Sequence, residues 1–234
     1  MGTWLLDETL PLDESANRSI STSLSRVQDT ARGAPGSRVS IALRLNDVII
    51  HDVKKWFGGA NVRMDAIVVN GAPASDEGFY QPVTFRFPEV KNGERLPIAE
   101  PGLTFFYGKP RYFLDVSILV SRDRQDTKDL ADLIVERTGK TEWKAAAGVL
   151  LGLAVAAPQA AVVTAAIGAS VTIGNFALDV LREVTGTTIG LYRASFLQER
   201  DRFGIGRHPS VGSYRMKDFE FWYEIVPDKK HLDR

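Results

Sequence analysis

The chain has 234 residues, 25% of them charged and 44% hydrophobic, and its 29 Lys+Arg balance its 29 Asp+Glu. That balance supplies no global field to attract nucleic acid, so an electrostatic partner has to be met by a local patch. The absence of cysteine excludes disulfides, thiolate catalysis and Cys-based zinc sites.

The opening stretch MGTWLLDETLPLDE is acidic and lacks the basic flank and apolar core of a secretory leader, so an intracellular, cytoplasmic protein is expected. Gly2 is followed by Thr3-Trp4-Leu5-Leu6, without the Ser or Thr of a myristoylation site. Residues 1–37 read as a polar lead-in, with a short helix from Ser15 to Ala31 and a Gly-Ala-Pro-Gly break at Gly33–Gly36. The rest, 38–234, reads as one domain.

From Arg38 a two-residue period takes over. Val39, Ile41, Leu43 and Leu45 alternate with Ser40, Ala42, Arg44 and Asn46, the pattern of a half-buried strand. A loop carrying Lys54-Lys55-Trp56-Phe57-Gly58-Gly59 interrupts it. Strands are then predicted over Asn61–Asn70, Val83–Phe87, Leu103–Tyr107 and Tyr112–Val120, joined by turn-rich segments. Tyr112–Val120 is the clearest of these. Leu114, Val116, Ile118 and Val120 share one face; Asp115 and Ser117 lie on the other.

The next stretch breaks the pattern. Ala145 to Leu178 runs without a single charged side chain. Pro158 divides it, because an interior proline removes a helix hydrogen bond and clashes with the preceding turn. The prediction is a helical hairpin over 140–183, with arms Lys140–Ala157 and Gln159–Glu183. Both arms owe much of their apolarity to Ala and Gly, which suit close helix packing better than immersion in lipid. Gly148 and Gly152 stand at G-x-x-x-G spacing, which allows two backbones to approach. Two readings stay open: a hairpin buried against the domain or a partner chain, including a self-association seam, and one that enters or lies on a membrane. After it, Thr187–Leu197 and Asp218–Val226 complete the strands, the last with Phe219, Phe221, Tyr223 and Ile225 inward and Glu220 and Glu224 outward. The fold class expected is mainly β, an antiparallel β-sandwich carrying an apolar helical hairpin between strands.

Candidate chemistry follows the clearest strand. Asp123, Asp126 and Asp129 fall in one short loop, with Asp132 beyond. Calcium takes six to eight oxygen ligands, and loop carboxylates with exposed carbonyls supply them. In this stretch the chain resembles the C-two domain, the calcium- and phospholipid-binding sandwich of protein kinase C and the synaptotagmins. That family runs a strand into Asp-x-Asp-x-x-x-x-x-Asp and then into apolar residues. Asp123 and Asp129 match that separation, and Ser121 stands at the first aspartate. From the earlier loop the matching carboxylates are Asp47, Asp52 and Asp65, the last in Asp65-Ala-Ile-Val-Val. The resemblance covers residues 38–134 and the strands at 187–226. It implies calcium as a cofactor, held by Asp52, Asp65, Asp123, Asp126 and Asp129, and a lipid surface met by loops. Asp126, Asp129 and Asp132 alternate with Arg124, Lys128 and Arg137, which also suits a solvated helix start.

In the sandwich so implied, Trp56 and Phe57 sit on a loop at one end. Aromatics at a loop tip suit a membrane interface, and Lys54 and Lys55 suit anionic headgroups; an aromatic pair folded onto the core is the other reading, and the one a sequence like this favours. His51, His208 and His231 have no metal-binding spacing. Gly204-Ile-Gly206 lacks the context of a dinucleotide site, and Phe203–Gly212 reads as a turn-rich loop. No catalytic set emerges. The function expected is a non-enzymatic module that associates with a membrane, peripherally or through the hairpin, or else binds a protein partner, with no nucleic acid involved.

Overall fold

The computed structural model describes residues 2–6, 40–71, 80–124, 130–138, 159–183 and 187–228. The chain is mainly β, built as two antiparallel sheets with few helices. The strands are β1 (Gly2–Leu6), β2 (Ile41–Ile50), β3 (Ala60–Val69), β4 (Tyr80–Val90), β5 (Glu94–Arg95), β6 (Leu103–Gly108), β7 (Phe113–Arg122), β8 (Thr187–Leu197), β9 (Gly206–His208), β10 (Tyr214–Arg215) and β11 (Phe219–Pro227). The helices are α1 (Leu130–Thr138), α2 (Gln159–Glu183) and the single turn α3 (Gln198–Asp201). One sheet has five strands in the order β1-β8-β7-β3-β4. The other has six, with β10-β11-β2-β5 as its path, β6 also on β2 and β9 also on β11.

The alternation that predicts the strands also builds the core. Ile41, Leu43 and Leu45 of β2 and Phe219, Phe221, Tyr223 and Ile225 of β11 point one way. They meet Val62, Met64, Ala66 and Val68 of β3 and Leu114, Val116, Ile118 and Val120 of β7 in a single buried cluster. Side chains of period two from both sheets therefore share one apolar interior, and each large residue buried there contributes about 1.5–3 kcal/mol. The rings on β11 stack along the strand, with 5.2 Å between the Phe219 and Phe221 centroids. The Tyr192 and Tyr223 hydroxyls pair at 2.8 Å, and burial pushes both phenols up, so the pair is neutral.

Gly190 of β8 is required by this packing. A Cβ there would lie 2.1 Å from Cε1 of the buried Phe219. Gly190→Ala is expected to cost about 1–3 kcal/mol by overpacking, read as a lower urea midpoint at unchanged m-value.

The other face of the five-stranded sheet is also covered. Ile173, Ala177, Val180 and Leu181 of α2 recur at helical spacing. With Leu130, Leu133 and Ile134 of α1, they bury Ile67 and Val69 of β3, Phe113 and Leu119 of β7, and Leu197 of β8. Arg137 of α1 donates to Glu183 at the end of α2 at 2.9 Å. The predicted second arm Gln159–Glu183 is thus a helix with those bounds. The first arm, with Gly148 and Gly152, lies outside the described residues, as does the predicted helix Ser15–Ala31. Among the described residues no helix is long and apolar enough to cross a membrane.

Short strands depart from the sequence expectation, β5 and β10 among them. Gly2–Leu6, within the stretch read as a lead-in, is a strand paired antiparallel to β8, with Trp4 opposite Arg193. The region Phe203–Gly212 contains β9, whose His208 is buried, not a loop throughout. The His208 ring stacks on Tyr223 at 5.0 Å and approaches the Gly204 carbonyl through Nε2 at 2.5 Å. Burial lowers its pKa from the usual 6.5, outweighing the Gly204 carbonyl and Asp201. The unfolded chain therefore takes up a proton near pH 6.5 that the folded chain refuses. Stability is expected to fall as pH drops below about 6.5, by up to about 1.4 kcal/mol per pH unit, in urea titrations across that range. His208→Gln should lack this component of the slope.

Candidate functional site

Four segments converge where β2 ends, β3 begins, β7 ends and β11 begins. Their meeting point is the loop 51–59. Val53 anchors it in the core, fully buried. The His51 and Asp52 amides donate to the Asp218 carbonyl at 2.8 and 3.1 Å, and the Val53 amide donates to Asn92 Oδ1 at 2.8 Å. Asp52 Oδ1 accepts the Lys54 amide at 2.7 Å, turning the chain sharply in the way of an Asx turn. Lys54 adopts the left-handed region at φ 56, costly for a residue with a Cβ unless its surroundings enforce it. They do: Arg122 donates to the Lys54 carbonyl at 2.8 Å, and the Lys54 ammonium meets Asp218 Oδ2 at 2.6 Å.

Beyond this fastened base the loop carries two large rings outward. Trp56 is 89% exposed and Phe57 78%, their centroids 6.0 Å apart in an edge-to-face arrangement. Lys55 beside them is exposed and caps the Gly59 carbonyl at 2.6 Å. Gly59 itself admits no side chain, since a Cβ would lie 2.5 Å from the Glu89 carbonyl. The alternative of an aromatic pair folded onto the core is overturned. The Lys54 ammonium, predicted to face a headgroup, turns back to Asp218.

Among the described residues, the carboxylates predicted as metal ligands do not gather. Asp65 lies within β3, not in a loop, and is fully buried. It is occupied by Arg63 Nε at 2.7 Å and by the Thr84 hydroxyl at 2.6 Å. Its desolvation raises the carboxyl pKa against those two hydrogen bonds. Asp52 holds the turn at Lys54, Asp123 faces Arg86 at 3.3 Å, and Asp47 faces Arg95 at 3.4 Å. Among the described residues no group of three or more His, Cys, Asp or Glu could hold a metal ion. Asp126 and Asp129 lie outside the described residues.

A second polar cluster escapes the sequence reading. Beneath α2, Arg193 Nη2 meets Asp115 Oδ2 and the Ser170 carbonyl, each at 2.9 Å. Asn175 Oδ1 accepts from Arg193 Nη1 at 3.3 Å, and the Ser170 and Ser195 hydroxyls lie 2.5 Å apart. Gly174 makes room, for a Cβ there would overlap the guanidinium. Asp115, Ser170 and Arg193 are buried, Asp115 wholly, while Asn175 at the rim is exposed; the group clamps a helix to a sheet. The signal was in the sequence: Asp115 and Arg193 on strands, with Ser170, Gly174 and Asn175 in an otherwise apolar helix.

Comparison of this chain with protein-family models, curated proteins and solved structures returned no match.

Proposed function

We propose that this protein is a non-enzymatic docking module, a C-two-like β-sandwich that associates with a membrane surface through the loop bearing Trp56 and Phe57. The observation carrying this reading is the exposure of both rings on a loop that hydrogen bonds and an ion pair hold in place. Aromatic rings left in water gain most at a bilayer interface, where an apolar body and a wet rim are both served. Lys55 next to them suits an anionic headgroup. Calcium enters this reading through Asp123 with Asp126 and Asp129, as an aid to docking.

The second reading, a protein-binding module whose hairpin is permanently covered, is favoured by the apolar stripe of α2 lying against the five-stranded sheet. Gly148 and Gly152 are its proposed seam for self-association. Vesicle flotation with calcium and with chelator separates the two. Flotation with phosphatidylcholine–phosphatidylserine vesicles supports docking, and a calcium-dependent share removed by Asp123→Asn/Asp129→Asn assigns the metal. Failure to float with any vesicle under either condition overturns the membrane reading.

A further inference from the structure

We infer that Lys54 is the positioning residue of the docking loop: its ammonium does the work of a bound cation and keeps Trp56 and Phe57 presented in advance of any partner. This rests on the docking reading above. The side chain spans from the loop to the β10–β11 turn and meets Asp218 at 2.6 Å, with little of either side chain exposed. The Asp218 carbonyl meanwhile accepts the His51 and Asp52 amides. One residue of the turn thus holds the loop by its backbone and, through Lys54, by its side chain. The Lys54 carbonyl takes Arg122 from β7 at 2.8 Å, so three separate segments are tied at this position. A left-handed φ of 56 at a lysine is retained although glycine would adopt it without cost. The ammonium is what glycine could not supply. A pre-ordered loop does not lose conformational freedom on docking, and affinity gains accordingly.

The test uses the full chain and phosphatidylcholine–phosphatidylserine vesicles. Lys54→Gly relieves the backbone and removes the ammonium, Lys54→Met removes the ammonium alone, and Lys54→Arg keeps the charge. Vesicle affinity should fall at least about tenfold in both the glycine and methionine variants and be largely restored in the arginine variant. Global stability should fall in both, because Asp218 is then left buried without its partner, while amide exchange at His51, Asp52 and Val53 should speed up by more than that fall accounts for. Equal vesicle binding by wild type and Lys54→Met, or slow exchange of those amides in Lys54→Met, overturns the inference. If wild type itself does not bind vesicles, the docking reading fails, and the exchange measurement still decides the role of Lys54 in the loop.

Discussion

Replacing Arg193 by methionine is expected to lower the unfolding free energy by about 3–5 kcal/mol, because Asp115 is then left enclosed without its guanidinium, with the Ser170 hydroxyl at 3.3 Å beside it. A domain of this kind has about 5–15 kcal/mol in total, so the loss is a large share of its stability. The guanidinium also meets the Ser170 carbonyl and Asn175 of α2, so the helix should loosen before the sheets part. Hydrogen exchange should show α2 amides opening ahead of those of β7 and β3. The double variant Asp115→Leu/Arg193→Met tests the cause. Replacing a buried pair by apolar groups of similar volume is often close to neutral, so the double variant should recover most of the loss seen in the single. Urea unfolding of the three proteins reads both results. A single variant within about 0.5 kcal/mol of wild type, the range of ordinary surface substitutions, would show that the clamp does not hold the helix.

Removing the two exposed rings should have the opposite profile. Trp56→Ala/Phe57→Ala is expected to weaken vesicle binding by at least about a hundredfold, since each ring seated in an apolar environment is worth about 1.5–3 kcal/mol and each 1.4 kcal/mol is tenfold. Neither ring packs in the core, so the unfolding free energy should stay within about 0.5 kcal/mol of wild type. Flotation and urea unfolding on the same preparation give both numbers. A strongly destabilised double variant, or one that still binds vesicles like wild type, contradicts the role given to this loop.

The strands were legible because burial on one face writes a period of two into the sequence. Thr187–Leu197 was read with its observed bounds, and the inward set Phe219, Phe221, Tyr223 and Ile225 points into the core as expected. The paired strands β5, β9 and β10 have only two or three residues each, too few to show any period. Asp115 and Ser117 read as the face of β7 opposite its apolar set, and both are buried. A charged residue on the outer face of a strand looks the same in sequence whether water or a helix lies above it. The partner that resolves it, Arg193, is 78 positions away.

The loop 51–59 was half legible for a similar reason. Two aromatics beside two glycines mark a special loop, but the sequence does not say which way the rings point. That is decided by Asn92, Arg122 and Asp218, contributed by three other segments. Asp65 shows the reverse error. The stretch Asp65-Ala-Ile-Val-Val resembles a ligand-bearing one, while the place of Asp65 in the middle of β3 gives it to Arg63 and Thr84.

On the docking reading the loop, and not the helical insert, meets the lipid. The chain has no cysteine, so single labels are clean. An environment-sensitive fluorophore at Phe57→Cys reports the loop. The same fluorophore at Gly168→Cys, an exposed helix position with open space around it, reports α2. On adding phosphatidylcholine–phosphatidylserine vesicles, emission should shift to the blue at position 57 and stay unchanged at position 168. A blue shift at 168 with none at 57 would contradict the account.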